Sequence, residues 1–393
     1  MKKKIAILGS TGSIGKSLLE IIKEKDFEIT FLAANKNYRK LLKQAETFNV
    51  KNLIITDHIS YKKLILINKN KKIKIYNCFN SFKKIIAKKL DYVMCSISGI
   101  SGLKPTYDII KFTKKIAIAN KESLICAWPI LQKELRKHNT EFVPVDSEHF
   151  SVWSEIKEAN SKRINKIYLT ASGGPLYKLK ISSLKNVKNS TILNHPTWSM
   201  GKKISVDSAT MMNKCLEVME AKNIFDLDYK KISFIIHPES YVHAIVVYNN
   251  GISKIIVHDT TMKIPIFNTI FNENAIYRNM KKIDFKKLNH LNFQDVMIKK
   301  YPIVSFLNKI PKKHSLYETV ILSINDTIVD KFLAKKIQFN DISTLFLKFL
   351  NKAEFKKYKR KYPKNIMEII NLNNVITKKI SMIIKKNKKN YVF

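Results

Sequence analysis

The sequence predicts an α/β protein with an N-terminal Rossmann-like, doubly wound parallel sheet and an all-α region at its C-terminal end. Three observations support this prediction: a glycine turn between a short apolar strand and a helix, an alternation of strands and helices up to residue 145, and helix-period apolar positions after residue 300. With 393 residues, 45% of them hydrophobic, the chain is long enough for roughly two or three domains with large cores.

The first predicted strand, Lys4–Leu8, runs directly into the glycine turn Gly9–Gly15, and a helical pattern follows. Strand, glycine turn and helix in this order are the context that a dinucleotide fingerprint requires. The glycines let the backbone approach a pyrophosphate, which the helix N-terminus stabilises. The spacing is GxxGxxG rather than GxGxxG, so the motif indicates a nucleotide site without being diagnostic by itself.

The second predicted strand, Glu28–Ala34, is followed by Asn35, Lys36 and Asn37. A site for NAD usually carries an acidic residue here, which binds the 2′-hydroxyl of the ribose. A lysine in its place favours NADP, because NADP carries a phosphate at that position. The alternative is that Lys36 is one more of the many lysines in this chain.

Polar clusters follow the last two strands of the predicted sheet. The later strands are expected at residues 52–56, 74–77, 92–96, 116–119 and 141–145. Asn120–Ser123 and Asp146–His149 come directly after the last two, and ligands of such sheets bind outside the carboxyl ends of the strands. Asp146 and Glu148 are spaced so that both carboxylates could reach one hard cation, although Asp-x-Glu is more often a helix cap.

The stretch His195–Ala221 is the richest in polar functional groups. From residue 210 onward it predicts a helix with an apolar stripe of Met212, Leu216 and Met219 and a polar stripe of Asn213, Glu217 and Glu220. Asp207 or Ser208 is expected to cap this helix, which would leave backbone N–H groups at an end suited to an anion. The alternative is a surface helix with an ordinary ion pair between Lys214 and Glu217.

Residues 172–203 combine glycines, basic residues and Trp198, a composition that suits a mobile lid, with a plain surface loop as the alternative. Residues 244–247 and 254–258 predict a hairpin around Asn249–Gly251. After it, helices are expected at 304–309, 315–324, 327–335 and 342–350.

Composition excludes several classes of protein. The net charge of +41 comes almost entirely from lysines spread along the chain, which favours a compositional bias over a nucleic-acid-binding patch. The four cysteines have no CxxC spacing, so free thiols are expected rather than disulfides or a zinc site. No apolar run approaches the roughly 18 residues that span a bilayer, so we expect a cytoplasmic protein without a membrane partner.

Five segments resemble, in order and approximate spacing, the 1-deoxy-D-xylulose 5-phosphate reductoisomerase family: Gly9–Gly15, Asn120–Ser123, Pro144–His149, Thr170–Pro175 and His195–Ala221. The resemblance extends to about residue 350, and the block 198–214 is its most specific part. It implies conversion of 1-deoxy-D-xylulose 5-phosphate to 2-C-methyl-D-erythritol 4-phosphate, by retro-aldol cleavage, re-addition and reduction. The implied cofactors are NADPH and Mg²⁺ or Mn²⁺, with Co²⁺ as a further metal.

The same resemblance implies a homodimer and a division of the chain. Residues 1–149 would bind NADPH, and residues 150–275 would form a central α+β domain for catalysis and dimerisation. Residues 276–300 would be a linker, and residues 301–393 a C-terminal helical domain. Two alternatives stay open: another NADP-dependent sugar-phosphate dehydrogenase, or a basic nucleic-acid-binding protein.

The resemblance also assigns residues. The catalytic group comprises Lys121 and three metal ligands, Asp146, Glu148 and Glu217. The substrate contacts are Ser147, Glu148, Ser172, His195, Trp198, Ser208, Asn213, Lys214, Glu217, Ser240 and His243. The NADPH contacts are Thr11, Gly12, Ser13, Ile14, Lys36, Asn37, Asn120, Lys121, Glu122, Met200, Gly201 and Met262.

Some positions depart from the family pattern. Asn35 and Cys215 stand where glycine is usual, and Asp326 stands where glutamate is usual. The segment His258–Met262 is a diverged version of the loop whose methionine approaches the nicotinamide. None of these departures involves a predicted metal ligand.

Overall fold

The computed structural model of the chain describes residues 2–23, 27–156, 161–198, 200–271 and 275–386. Backbone contacts divide the chain into two compact units. The first comprises residues 1–123, 129–150 and 261–280, and the second residues 124–128, 151–260 and 281–393. Residues 261–275, which the sequence assigned to the central domain, thus group with the first unit. The four-part division with boundaries at 149, 275 and 300 stays a prediction.

The strands are β1 Lys3–Leu8, β2 Phe27–Ala34, β3 Asn52–Ile55, β4 Lys74–Tyr76, β5 Leu90–Cys95, β6 Thr113–Ile118, β7 Glu141–Pro144, β8 Ile164–Ala171, β9 Ile232–Ile236, β10 Val242–Tyr248 and β11 Ser253–Val257. The helices are α1 Ser13–Ile22, α2 Tyr38–Thr47, α3 His58–Ile67, α4 Phe82–Ile85, α5 Leu103–Ile109, α6 Lys121–Lys137, α7 Ser147–Ile156, α8 Asn189–Leu193, α9 Lys202–Ala209, α10 Met212–Phe225, α11 Lys263–Ile270, α12 Phe285–Asn289, α13 Tyr317–Leu333, α14 Phe339–Leu350, α15 Ala353–Lys356 and α16 Ile366–Lys386. Longer 3₁₀ segments lie at Ile181–Asn186 and Pro302–Lys309.

The first unit contains a parallel sheet with the strand order β4-β3-β2-β1-β5-β6-β7. Its central strands read as continuous apolar runs because both faces are covered, and Ile5, Ile7 and Leu32 are fully buried. The strand order reverses between β1 and β5, and the crevice at such a switch point is where doubly wound sheets bind ligands. The glycine turn directly follows β1, at this point. The predicted doubly wound fold is therefore confirmed.

The second unit is built on a mixed sheet with the order β11-β10-β8-β9. β10 is antiparallel to β8 and β11, whereas β8 and β9 run parallel, so the predicted hairpin is confirmed. A core that includes Leu169, Val246 and Val218 packs the sheet against α10. Within the described part of the chain, no helix combines the length and the hydropathy needed to cross a bilayer.

The C-terminal helices pack around α13, which is one continuous helix where the sequence predicted two. Asn325 and Asp326 separate the apolar stretches in the sequence, which produced the two-helix prediction. In the structure the buried face continues past them, from Ile324 to Ile328. The Asn325 side-chain amide group donates to Asp207 Oδ1 at 2.9 Å, so a tertiary contact provides a partner for this donor without a break in the helix. α16, for which no bounds were predicted, packs against α13 through a stripe of isoleucines.

A buried carboxyl group, that of Glu318, lies in the first turn of α13. Glu318 is 3% exposed, and its Oε2 accepts from the backbone N–H and the hydroxyl of Ser315, at 3.0 and 2.9 Å. The Ser315 hydroxyl oxygen in turn accepts from the N–H of Tyr317, the first residue of α13, at 3.2 Å. Burial raises the pKa of Glu318 to about 7, although the Ser315 hydrogen bonds oppose the shift.

Replacing Glu318 with Gln should therefore change how stability depends on pH. The raised pKa means that the folded wild type keeps a proton between pH 4.5 and about 7 that the unfolded chain has lost. The wild type should then lose about 3 kcal/mol of unfolding free energy across this range, and Glu318→Gln should not. Urea titrations of both proteins at pH 5, 6, 7 and 8 measure the difference. Parallel stability curves would contradict the assignment.

Candidate functional site

The glycine turn after β1 is shaped for close backbone contact. The N–H groups of Gly9 and Ser10 both donate to the Ala33 carbonyl, at 2.9 and 3.0 Å. A side chain at Gly15 would place its Cβ 2.6 Å from the Gly9 carbonyl oxygen, so only glycine fits there. Gly12 is the N-cap of α1 and no side chain caps this end. The N-terminus of α1, which comprises Thr11 and Gly12 before the helix and Ser13 and Ile14 in its first turn, can therefore receive an anion.

A glutamine that the sequence did not single out holds this turn. The Gln44 side chain on α2 donates to the Ser10 carbonyl at 2.9 Å and accepts from the Ser10 hydroxyl at 2.8 Å. Both residues are buried. Because a buried amide must find partners for its donor and its acceptor, this pair fixes the turn to α2.

The residues after β2 divide their roles. Asn37 caps α2, since its side chain accepts from the N–H of Lys40 at 3.4 Å, and Asn35 donates to the Thr56 hydroxyl at 2.8 Å. Lys36 is exposed. Burial and the nearby Lys16 lower the pKa of Lys40, another lysine that the sequence did not single out. Two ammonium groups that repel each other here would be stabilised by an anion such as a 2′-phosphate.

Asn120, at the end of β6, holds the neighbouring loop in place. It is 2% exposed, caps α6 through the N–H of Ser123 at 2.7 Å, and donates to the carbonyls of Ile97 and Gly99 at 2.5 and 2.9 Å. It also donates to Glu122 Oε2 at 3.2 Å. The predicted cofactor contacts Asn120 and Glu122 are thus already positioned by hydrogen bonds within the first unit.

Lys121 and Asp146 form the charged centre of the first unit. Lys121 Nζ lies 3.1 Å from Asp146 Oδ2, and the two side chains are 13% and 19% exposed. Burial alone would raise the pKa of Asp146, but Lys121 and His149 hold it well below its usual range. The Ser147 hydroxyl donates to Glu148 Oε2 at 2.6 Å. An ionised Asp146 beside Glu148 provides the oxygen donors that a hard cation prefers.

In the second unit, Ser172 follows β8 and contacts His195. The N–H groups of Thr197 and Trp198 donate to His195 Nδ1 at 3.2 and 3.0 Å, so the proton of the neutral ring lies on Nε2. His195 Nε2 then donates to the Ser172 oxygen at 3.0 Å, and the N–H of Gly174 donates to the same oxygen at 3.2 Å. Because the Ser172 oxygen accepts twice, its own proton is available to an anion.

Three other predicted substrate contacts, Ser208, Asn213 and Lys214, lie where α9 meets α10. The sequence expected Asp207 or Ser208 to cap the helix that carries Glu217, and this was wrong because both belong to α9. Thr210 and Met211 lie between the helices, and Met211, whose side chain does not cap α10, is in the left-handed conformation with φ of 66°. At this N-terminus, which also carries Asn213 and Lys214, the Thr210 hydroxyl oxygen accepts from the N–H of Met212 at 3.4 Å.

Glu217 accepts hydrogen bonds from both neighbouring donors on α10. Asn213 donates to its Oε1 at 2.5 Å, and Lys214 is paired with its Oε2. Lys214 and Glu217 are 5% and 1% exposed, which excludes the ordinary surface ion pair that the sequence left open. A buried carboxylate held by a lysine and an amide is typical of a functional site rather than of a solvated helix face.

A second polar group surrounds the end of β9 and the start of β10. Ser240 has a φ of 50°, and its buried hydroxyl oxygen has no hydrogen-bond partner among the described residues. The rings of His243 and His258 stack 3.6 Å apart, and the ring of Trp198 meets His243 edge-on at 6.3 Å. Burial lowers the pKa of both histidines, so the stacked pair is neutral. The unpartnered hydroxyl fits a polar ligand.

Three remaining cofactor predictions have less geometric support. Gly201 is the exposed N-cap of α9, and a side chain there would meet open space. Met200 is half-buried. Met262 is half-buried against the apolar core of the first unit.

Comparison with known proteins decides the family. The model described as 1-deoxy-D-xylulose 5-phosphate reductoisomerase matches residues 5–128, that of its C-terminal domain matches 142–225, and that of the DXP reductoisomerase C-terminal domain matches 258–379. A 1-deoxy-D-xylulose 5-phosphate reductoisomerase of Pelagibacter ubique is 53% identical over 96% of this chain and 99% of its own. The chain belongs to the 1-deoxy-D-xylulose 5-phosphate reductoisomerase family.

Other members of the reductoisomerase family agree. The enzyme of Wolbachia sp. subsp. Drosophila simulans is 37% identical over 86% of this chain and 88% of its own. A solved reductoisomerase from Zymomonas mobilis in complex with NADPH has a TM-score of 0.87 at 28% identity, covering 98% of this chain and 99% of that chain. A solved DOX-P reductoisomerase in complex with NADPH, fosmidomycin and magnesium has a TM-score of 0.89 at 29% identity, covering 98% of each chain. The resemblance and the fold class predicted from the sequence are confirmed.

The geometry at His195 predicts its protonation. Burial lowers the pKa of His195 to about 4, so the ring should stay neutral, with its proton on Nε2, from pH 8 down to pH 5. Because this pKa lies below the ordinary value of 6.5, the imidazole should destabilise the folded chain only as the pH falls from 6.5 towards 4. Nitrogen-15 NMR of histidine-labelled protein, assigned with His195→Gln, measures both the tautomer and the titration. A His195 signal that titrates above pH 6 would refute this geometry.

Proposed function

We propose that this chain converts 1-deoxy-D-xylulose 5-phosphate to 2-C-methyl-D-erythritol 4-phosphate, with NADPH and a divalent metal, in isoprenoid biosynthesis. The observation that carries the proposal is the 53% identity to the Pelagibacter reductoisomerase over nearly the whole of both chains. The solved relative with NADPH, fosmidomycin and magnesium supports NADPH and Mg²⁺ as the cofactors. Mn²⁺ and Co²⁺ are alternative metals with the same preference for oxygen and nitrogen ligands.

Asp146, Glu148 and Glu217 are the proposed metal ligands. The donor chemistry fits, since these are three carboxylates and Lys121 holds Asp146 ionised. When bound, the metal would polarise the substrate ketone as a Lewis acid, and NADPH would supply the hydride that reduces the aldehyde. Lys121 would contact the substrate and the cofactor, and Ser147 would bind a substrate oxygen.

The phosphate of the substrate is assigned to Ser172, Ser208, Asn213 and Lys214, which we call the phosphate cradle. Neutral donors with one lysine suit a phosphate dianion. The hydroxyl proton of Ser172 is free to donate, since its oxygen already accepts from His195 and Gly174. Lys214 has three donors, so it can contact a phosphate oxygen while it keeps Glu217.

Residues 172–203 are proposed to cover the substrate. His195 is the link between this segment and the phosphate cradle, because its ring donates to Ser172 while its other nitrogen accepts from the backbone at Trp198. Trp198 lies edge-on against His243, and the unpartnered hydroxyl of Ser240 follows β9. These side chains would exclude water from the reactive intermediates.

NADPH is assigned to the first unit. Thr11, Gly12, Ser13 and Ile14 would bind the pyrophosphate at the N-terminus of α1. Lys36 and Asn37 would face the 2′-phosphate. The nicotinamide end is assigned to three groups: the cluster after β6 with Asn120, Lys121 and Glu122, the segment with Met200 and Gly201, and Met262.

We further propose that the chain forms a homodimer and lies in the cytoplasm. β11 is an edge strand of its sheet. Ile255 on this strand is 50% exposed, and Ile252, which directly precedes the strand, is 55% exposed. An exposed apolar edge strand is a surface that another chain can cover. Phe285 and Met297, in the segment that follows, are also exposed, at 69% and 58%. Sedimentation equilibrium measures the stoichiometry, and a monomer at all concentrations would end this proposal.

The function is tested by NADPH oxidation followed at 340 nm. Oxidation should require the deoxyxylulose phosphate and a divalent metal together, and it should stop when a chelator is added and resume with excess Mg²⁺. The same assay with NADH measures the preference assigned to Lys36, which should favour NADPH. No turnover by protein with a folded circular dichroism spectrum would refute the function.

Replacing Glu217 with Gln should abolish turnover, because the substitution removes one of three proposed anionic ligands from a hard cation. NADPH affinity should stay within about twofold of the wild type, since the cofactor is assigned to the first unit. Steady-state kinetics over a range of Mg²⁺ concentrations and NADPH fluorescence titration measure the two effects. Glu318→Gln is the matched control, a buried glutamate of the same unit outside the site. If Glu217→Gln kept the same activity as the wild type and the active control Glu318→Gln, the assignment of Glu217 as a metal ligand would be disproved.

A further inference from the structure

The turn that follows Ser172 directs backbone carbonyls towards two residues far along the chain. The Tyr301 hydroxyl donates to the Gly173 carbonyl at 3.1 Å. Lys300 Nζ donates to the carbonyls of Tyr177 and Leu179, at 2.5 and 2.7 Å. Three carbonyls within seven residues of the chain are therefore held by two adjacent side chains, neither of which the sequence motifs singled out.

Lys300 is held in place from both sides. Its ammonium group lies 5.9 Å from the ring centroid of Tyr177 and 5.7 Å from that of Tyr301, within the range of a cation–π contact. The residue is half-buried. A lysine side chain with two carbonyl acceptors and two aromatic rings around it loses much of its conformational freedom. It can therefore hold the backbone of the turn in place.

Tyr301 also connects the turn to the other side of the phosphate cradle. The residue is 3% exposed, and its ring packs in a small apolar cluster with Ala171, Met211 and Ile236. Ala171 directly precedes Ser172, and Met211 is the left-handed residue between α9 and α10. The ring of Tyr301 thus packs in the same apolar cluster as Ala171, which precedes Ser172, and Met211, which precedes α10. Its hydroxyl group donates to the Gly173 carbonyl in the turn.

We propose that Lys300 and Tyr301 are positioning residues for the substrate phosphate: they hold the turn at residues 173–179 so that the Ser172 hydroxyl stays directed into the phosphate cradle. The proposal rests on the reductoisomerase function proposed above. It assigns neither residue a contact with substrate or NADPH. The effect should therefore fall on substrate binding, with little effect on the chemical step.

The test compares three variants in steady-state kinetics. Tyr301→Phe removes one hydrogen bond and keeps the ring, so the KM for the deoxyxylulose phosphate should rise about fivefold. Lys300→Met removes a charged donor to two carbonyls, so that KM should rise about tenfold or more. Lys300→Arg keeps the charge and the donors and should restore it to within about threefold of the wild type. In all three variants kcat and the KM for NADPH should change less than about twofold.

Matched controls separate positioning from general packing. Tyr317→Phe removes another buried tyrosine hydroxyl, which donates to the Leu350 carbonyl at 3.3 Å. Lys166→Met removes a lysine that donates to the Lys230 carbonyl at 3.0 Å and lies 5.8 Å from the ring of Tyr168. Both controls remove the same types of contact away from the turn, and both should leave the substrate KM unchanged.

Inorganic phosphate, followed by phosphorus-31 NMR, probes the cradle without turnover. Its dissociation constant should rise in Lys300→Met and Tyr301→Phe in parallel with the substrate KM. This measurement also distinguishes the two proposals, because the cradle can weaken as expected even if the wild type does not turn over the sugar phosphate. Unchanged phosphate affinity and KM in both variants would overturn the positioning role. So would an equal loss of phosphate affinity, NADPH affinity and thermal stability, which would indicate general destabilisation.

Discussion

The close approach between Gly174 and the end of α9 is the constraint on which the proposed phosphate cradle depends. Gly174 has a φ of 70°, and any side chain there would place its Cβ 2.7 Å from the Ser208 carbonyl oxygen. The turn after β8 can therefore lie directly against Ser208. Met211 then takes the left-handed conformation that ends one helix and begins the next. Because the backbone at Gly174 contacts the backbone at Ser208 with no side chain between them, the donor of Ser172 is brought close to the segment that carries Ser208.

A polar network in which Asp207 and Asn325 are buried, and Lys203 and Asp326 are partly exposed, holds α9 against α13. Asp207 is 1% exposed and is paired with Lys203 at 3.0 Å and with Asn325 at 2.9 Å. Lys203 also lies 3.0 Å from Asp326. Removing one partner of a buried charge costs far more than a surface pair contributes, so these contacts fix how α13 meets the helix that carries Ser208. The network also explains why two polar residues in the middle of α13 do not interrupt it.

Much of the fold and of the candidate site could be predicted from the sequence, because these parts depend on local sequence patterns. The strand, glycine turn and helix at Gly9–Gly15, the hairpin of β10 and β11, and the polar stripe of α10 all depend on neighbours a few residues away. Gln44, Lys300 and Tyr301 could not be found this way. Their partners are backbone carbonyls 34, 123 and 128 positions away. Every residue has a backbone carbonyl, so the sequence does not indicate which ones accept these hydrogen bonds. The cap predicted at Asp207 or Ser208 was wrong for a related reason, since no local pattern in the sequence indicates the left-handed conformation of Met211, after which α10 begins.

The abundance of lysine conceals the few lysines that matter to the site. The side chains of Lys104 and Lys114 are 50% and 64% exposed in their ion pairs, and such pairs contribute roughly 0–1 kcal/mol. The side chains of Lys121 and Lys214 are only 13% and 6% exposed, and each lies beside a carboxylate assigned to the metal. Burial raises the cost of an unpaired charge, so these lysines are constrained in a way that exposed ones are not. The net charge of +41 is a sum over all of these side chains and carries no information about the site. Burial and partners distinguish the lysines assigned to the site from the others, and Lys300, to which we assign a positioning role, is half-buried and bound to carbonyls rather than carboxylates.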